Sequence, residues 1–297
     1  MEKVCIELPS EDKYARLHVV WFKPDKGSEV KGLIQICHGM TEYIERYEQL
    51  AAYFTQRGYI VFGNDVISHG RSTTTQSEGL YFADWFDVVT DAVHVREYAQ
   101  KTYPDLPIYL IGFSLGSFVV RSMQDIRAYE KEILVGTGNQ PAFVLQAMRK
   151  LLSVKFAKSM NVPSDEVRKM AFDSYNKKFA GKESDYWLIT DDARRAQYHS
   201  DAMVCQDMTP GFFCEFLKGM AYTAKQLKHP NNTIPTLFLY GENDPVGDFG
   251  KGVCKVFDAY KKNNAQTSIE SLHGAHDILH DAMCEQAFER IYKFIED

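Results

Sequence analysis

The chain has 297 residues, of which 45% are hydrophobic and 25% charged, and a formal net charge of −6. That balance supports a sizeable buried core and excludes a broad nucleic-acid surface, which needs a basic patch against the phosphate backbone. No apolar run approaches the roughly 18 residues a membrane-spanning helix requires.

The opening segment, "MEKVCIELPSEDKY", has no basic stretch followed by an apolar one, so no signal peptide is expected. The six cysteines (Cys5, Cys37, Cys205, Cys214, Cys254 and Cys284) form no CxxC pair and show no zinc spacing. Free thiols without an export signal fit a reducing cytoplasm.

Residues 15–24 alternate in part and read as a strand near a sheet edge, and 32–39 as a short buried strand. Residues 43–58 carry Tyr47, Leu50, Ala51 and Phe54 at helical spacing and stop at Gly58. A strand follows at 59–65, then a helix over 81–102 with Trp85, Val88, Val89, Ala92, Val95 and Ala99 on one face. The run 107–114 is a strand. Leu115 to about Tyr129 reads as a helix with Val119, Val120, Met123 and Ile126 inward, and 132–138 as a strand.

The alternation then breaks. From 141 to 228 only helical patterns appear, and Met148, Met160, Met170, Met203, Met208 and Met220 fall there. The rhythm resumes with a strand at 236–244, a helix near 249–262, a strand at 266–274 and a helix from about 282 to 296. Repeated strand–helix alternation implies a mostly parallel sheet covered on both faces. The expected organisation is an α/β core of 1–140 and 229–297 carrying a helical insertion, 141–228. No internal repeat or low-complexity segment is visible.

Between the strand at 107–114 and its helix stands Gly112-Phe113-Ser114-Leu115-Gly116. A serine flanked by glycines at a strand-to-helix turn is the pattern of a nucleophile elbow. The turn is so tight that side chains two residues before and after the serine would collide. The bland alternative is a glycine-rich turn whose serine caps the helix. An elbow serine needs a base and then a carboxylate behind it, and chain order places the acid before the histidine. Asp244 closes the strand 236–244, and His276 lies just past 266–274. In acyl transfer Ser114 would attack, His276 would shuttle the proton and Asp244 would fix the imidazole tautomer. The rivals are less well placed. His273 should end its strand, His280 lies a turn further on, Asp248 should begin the next helix, and Asp277 adjoins His276 too closely to reach back to its ring. An oxyanion hole would use the N–H of Leu115 and that of Met40, in the loop after 32–39. His38 is expected to shape that loop through a backbone hydrogen bond, and Cys37 to be core.

Residues 37–72, 112–123, 240–247 and 274–279 together resemble the monoacylglycerol lipase and lysophospholipase branch of the α/β-hydrolase fold. Residues 186–220 are similar to a cap segment of bacterial members. The resemblance implies an eight-stranded, mostly parallel sheet with a helical cap after the sixth strand, and a cofactor-free, metal-free esterase. Monoacylglycerols, lysophospholipids or smaller esters would be its substrates. It places Ser114, Asp244 and His276 on the triad, Met40 and Leu115 on the oxyanion hole, and His69 on a structural motif. The chain departs from the pattern at three places. Phe113 stands where members commonly have His, Ser117 where many have Gly, and "NDVISHGRS" lacks the usual His-Arg-Gly.

A Met- and aromatic-rich insertion above such a site could form an adaptable apolar wall. Phe113, Phe143, Met148, Met208 and Phe212 are the candidates to meet an acyl chain, with Phe213 and Phe216 beside them; such residues also serve a cap's own core. Transient contact with lipid surfaces is conceivable for an acyl-ester enzyme, although no basic amphipathic helix marks it. "GTGNQP" lacks the third glycine of a dinucleotide fingerprint, as Pro141 stands there. Two other functions share the fold: an aminopeptidase, and a non-catalytic binding protein, which would usually have lost a triad member. The oligomeric state is not written in the sequence.

Overall fold

The computed structural model describes residues 1–123, 129–204 and 207–297. Ile126 and Cys205 therefore lie outside the described residues. Among the described residues, eight strands form one sheet in the order β1-β2-β4-β3-β5-β6-β7-β8. They are β1 (Glu2–Pro9), β2 (Arg16–Lys23), β3 (Gly32–Cys37), β4 (Tyr59–Asn64), β5 (Ile108–Phe113), β6 (Glu132–Val135), β7 (Thr236–Gly241) and β8 (Thr267–Leu272). The β1–β2 and β2–β4 pairs are antiparallel, and the other pairs are parallel.

The sheet is covered on both faces, as the expected α/β-hydrolase architecture requires. Helices α2 (Trp85–Thr102), α3 (Leu115–Ser122) and α8 (Lys251–Asn263) share one core with Leu33, Phe62, Leu110 and Phe238. Helices α1 (Glu48–Thr55) and α9 (Cys284–Glu296) share the other with Ile34, Val61, Ile111 and Leu237. Neighbouring residues of a strand thus feed opposite cores, which is why β3 and β4 are buried along their whole length. Between β6 and β7 the chain makes α4 (Ala142–Lys155), α5 (Asp165–Lys178), α6 (Asp192–Ser200) and α7 (Pro210–Gln226), and no strand among the described residues.

Several boundaries differ from expectation. The strand 15–24 does lie near a sheet edge, but the edge itself on that side is β1, whose residues are exposed or half-buried and which was not foreseen. The segment 43–58 is a 3-10 turn, Ile44–Tyr47, followed by the shorter α1, and the chain reverses at Gly58 with φ +87°. Helix α2 starts only at Trp85, because the Asp84 carboxylate caps it by accepting from Phe86 N at 2.7 Å. The segment before it is pinned instead to the insertion, where Leu80 N donates to Asp207 O at 2.8 Å. Asp248 belongs to no helix. Asp248, Phe249 and Gly250 take φ of 51°, 53° and 86°, so α8 cannot begin before Lys251.

Candidate active site

Ser114 follows β5 and precedes α3 with φ 50° and ψ −114°, a conformation an L-residue adopts only under strain. Its side chain makes no capping hydrogen bond, which disposes of the helix-cap alternative. The flanking glycines are required by space. A Cβ on Gly112 would lie 2.6 Å from Val120 Cγ2 and 2.7 Å from Gly116 O, and one on Gly116 would lie 1.9 Å from Cys37 O. Ser117 stays compatible with the turn by folding back, its Oγ donating to Ser114 O at 2.6 Å.

Asp244 follows β7 and His276 follows β8, and both are buried. His276 Nε2 lies 2.8 Å from Ser114 Oγ. On the other side of the ring Nδ1 lies 2.9 Å from Asp244 Oδ2, an ion-pair approach off the straight hydrogen-bond line. A carboxylate can only accept, so Nδ1 carries the proton and Nε2 is free to receive one from Ser114. Burial opposes a charge on His276. The Asp244 carboxylate outweighs it, with Asp277 and Glu42 adding to the effect, and the imidazole is raised above its ordinary 6.5. The ring is packed between Phe113 (centroids 5.1 Å apart) and Trp187 (5.7 Å). Phe113, the departure from the resembled pattern, therefore backs this imidazole. A Cβ on Gly136 would come within 2.9 Å of His276 Cε1, so this position must stay bare.

The loop after β3 is held from below. Glu42 accepts from Gly39 N (2.6 Å) and Tyr47 OH (2.7 Å) and pairs with Arg46. Thr41, at φ 66°, shares a 2.7 Å hydrogen bond with Tyr198 OH. The N–H groups of Met40 and Leu115 have no acceptor among the described residues, as a prepared oxyanion hole needs. His38 does shape the loop. Its Nδ1 donates to Gly39 O at 2.7 Å and its Nε2 accepts from Val66 N at 2.9 Å, while burial pushes its pKa down to about 4. His69, whose ring is tilted against His38 with centroids 5.4 Å apart, is pushed down to about 3 by burial and by its neighbour. Burial pushes the Cys37 thiol up to about 12, far from a reactive thiolate.

The rival residues have other duties. His273 is exposed on the surface. His280 Nδ1 lies 2.8 Å from Asp277 Oδ1, and Asp277 faces Arg46 at 3.6 Å. Glu42, Asp277 and His280 come close enough together to suggest a metal site, but the Arg46 guanidinium pairs with both carboxylates and supplies the positive charge there.

Above Ser114 opens a cavity of about 400 Å³. Its lining includes an apolar group from α3, α4 and α7, namely Phe118, Leu145, Met148, Phe213, Phe216, Leu217 and Met220. It also includes a polar group, Thr41, Glu42, Arg46, Asp185 and Tyr198. Of the expected contacts, Phe113 and Met148 line the cavity. Phe143, Met208 and Phe212 do not. Phe143 is 74% exposed on the outer side of α4, Met208 is fully buried beside Leu80, and Phe212 is fully buried between Phe82 (5.0 Å) and His69 (5.6 Å). The reason is helical phase. On α7, Phe213, Phe216, Leu217 and Met220 form one stripe, and Phe212 is a position out of it. Trp187, Tyr175 and Phe172 were not foreseen, and nothing in the spacing of a strand-free insertion marks them.

The family model described as "Serine aminopeptidase, S33" matches residues 28–283. Human monoglyceride lipase is 26% identical over 256 residues, covering 86% of this chain and 78% of its own. A monoacylglycerol lipase of Mycolicibacterium smegmatis is 26% identical over 233 residues, covering 76% and 73%. Among solved structures, a thermostable carboxyl esterase from Bacillus coagulans superposes with a TM-score of 0.85 at 21% identity, over 100% of this chain and 98% of its own. A monoglyceride lipase from Saccharomyces cerevisiae gives 0.79 at 16% identity, over 100% and 96%. These structural likenesses establish the fold, and the family match, spanning most of the chain, establishes that the protein belongs to the serine aminopeptidase S33 family of α/β-hydrolases.

Proposed function

We propose that the protein is a serine carboxylic ester hydrolase acting on monoacylglycerols, lysophospholipids or related acyl esters. Ser114 attacks the ester carbonyl while His276 Nε2 takes its proton, and Asp244 stabilises the imidazolium. The oxyanion is received by the N–H groups of Met40 and Leu115. His276 returns the proton to the leaving alcohol, and a water repeats the cycle on the acyl-enzyme. The observation that carries this reading is the Ser114–His276–Asp244 relay, at 2.8 and 2.9 Å, opening onto a cavity whose lining combines an apolar group from α3, α4 and α7 with a polar group that includes Thr41, Arg46 and Tyr198. The acyl chain lies toward α4 and α7, and the alcohol toward Thr41, Arg46 and Tyr198.

In this reading 1–140 and 229–297 are the catalytic core and 141–228 the cap. No helix among the described residues is long and apolar enough to cross a membrane. A cytoplasmic place is proposed on the free thiols. Transient lipid contact would use the outer side of α4, where Phe143, Leu151 and Val154 are exposed.

The aminopeptidase alternative is kept by the family's own description. The test is hydrolysis of p-nitrophenyl esters from short to long chain beside aminoacyl amides, with Ser114→Ala as control. Ester turnover that vanishes in Ser114→Ala supports the reading; amide turnover alone would transfer it to the peptidase. Inertness on both would favour a binding protein.

A further inference from the structure

The catalytic histidine is gripped from two sides. The core holds the residues just before it, as Asn243 N donates to Gly274 O at 2.9 Å. The insertion holds the histidine itself. His276 N donates to Trp187 O at 3.0 Å and Asp277 N to Leu188 O at 2.9 Å, so two consecutive residues of each segment run side by side. A few residues on, the grip is locked by Asp281, which is 1% exposed. Its Oδ2 accepts from Thr190 N and Thr190 Oγ1, both at 2.7 Å, and its Oδ1 from Asp191 N at 2.9 Å and Ala282 N at 2.8 Å. The far side of the same stretch is held by buried Arg195, whose Nη1 donates to Ile189 O at 3.0 Å and Thr190 O at 3.3 Å. From α6, Arg194 Nη1 reaches His280 O at 3.0 Å.

We infer that Asp281 is a positioning residue for His276, acting through a fixed brace, Trp187–Asp191, that belongs to the cap by sequence and to the catalytic machinery by contact. Asp281 does not touch the reacting atoms. It ties Thr190 and Asp191 to the His276 loop, and the carbonyls just before them set the backbone of His276 and Asp277. The indole of Trp187 covers the imidazole at the same time. In this reading the segment stays with the loop that carries His276. The inference rests on the reading of His276 as the base.

The test compares Asp281→Ala, Asp281→Asn and Thr190→Val with the wild type on a short-chain p-nitrophenyl ester. Rates are scaled to the folded fraction from near-ultraviolet circular dichroism. A carboxylate is all acceptor and each oxygen here takes two donors, so Asn sets two donors against its NH₂, Ala leaves all four bare, and Val removes a single bond. The expected kcat losses are tenfold or more for Ala, intermediate for Asn and two- to threefold for Val, with KM within twofold throughout. Thr190→Val keeps the backbone bonds and serves if Asp281→Ala fails to fold. An unchanged kcat per folded molecule in Thr190→Val and Asp281→Asn, or a loss carried by KM alone, would overturn the brace. A wild type inert on esters would overturn the function reading and this inference together, whereas an active wild type with indifferent Asp281 variants sinks the brace alone.

Discussion

Gly116→Ala perturbs the nucleophile turn and the oxyanion loop at one point. The added methyl would sit 1.9 Å from Cys37 O, 2.5 Å from Cys37 C and 2.8 Å from His38 O. All of these are backbone atoms at the end of β3 and the start of the loop that leads through Gly39 to Met40. To bring the closest contact beyond 3.0 Å, α3 and the β3 loop must part by more than 1 Å. Overpacking of this kind costs about 1–3 kcal/mol, against a stability of order 5–15 kcal/mol, so the protein still folds. The corresponding fall in melting temperature is about 2–12 °C at this chain length. The chemistry suffers more, because a displacement near 1 Å at a reacting centre costs roughly 100-fold in rate. The assay is kcat for a p-nitrophenyl ester beside a thermal melt. Gly181→Ala is the control: with φ +86° and nothing within 4 Å of its Cβ, it strains the backbone by about 1–2 kcal/mol and touches no part of the site. It should melt lower and turn over normally. A Gly116→Ala enzyme within threefold of wild-type kcat, or a Gly181→Ala enzyme as crippled as Gly116→Ala, would refute the reasoning.

Two further outcomes follow from the same geometry. The proposed mechanism needs neutral His276, whose pKa is raised above 6.5, so the rate should climb with pH through a midpoint above 6.5. In Asp244→Asn burial prevails, so that midpoint should move down while kcat falls roughly 10²–10⁴-fold; a pH–rate profile reads both. Stability runs the other way. A raised folded-state pKa contributes stability fully present below about 6.5 and lost as pH rises through the folded value, so melting scans should show this increment vanish as the rate appears. On α7, Phe213→Ala should change the acyl-chain preference, whereas Phe212→Ala should leave it alone and cost about 3–5 kcal/mol of stability. Equal shifts in both would discredit the phase assignment.

The parts of this molecule that were legible in its sequence are those where one residue type is forced by local geometry. Gly112 and Gly116 had to be bare, and the contacts their Cβ atoms would make show why. Parallel strands buried on both faces read as apolar runs, so β3, β4, β5 and β7 were plain. β1 was not, because an edge strand half in solvent carries charged residues that resemble a tail. Asp248 was misjudged for a local reason: three successive left-handed residues cannot be foreseen when only the last is glycine. On the insertion, composition suggested an apolar wall but could not phase it. Phe212 and Phe213 are identical letters about 100° apart on one helix, both buried, and of the two only Phe213 lines the cavity.

The site divides in the same way. Ser114 is placed by strain inside the core, through contacts between consecutive elements that a short motif can record. His276 is placed by hydrogen bonds between segments some ninety residues apart, Thr190 and Asp281 among them. Backbone N–H and C=O groups are the same in every residue, so Trp187 O and Leu188 O leave no mark in the sequence that they hold the base. Asp281 reads there as one more acidic residue before a helix. Its burial with four donors around it is what distinguishes it, since a carboxylate leaves water only where such donors meet it. On the proposed reading, a nucleophile fixed by the core and a base fixed partly by the insertion give the two halves different tolerances. Changes in the cap helices lining the cavity can retune the substrate, while changes in Trp187–Asp191 reach the proton transfer itself.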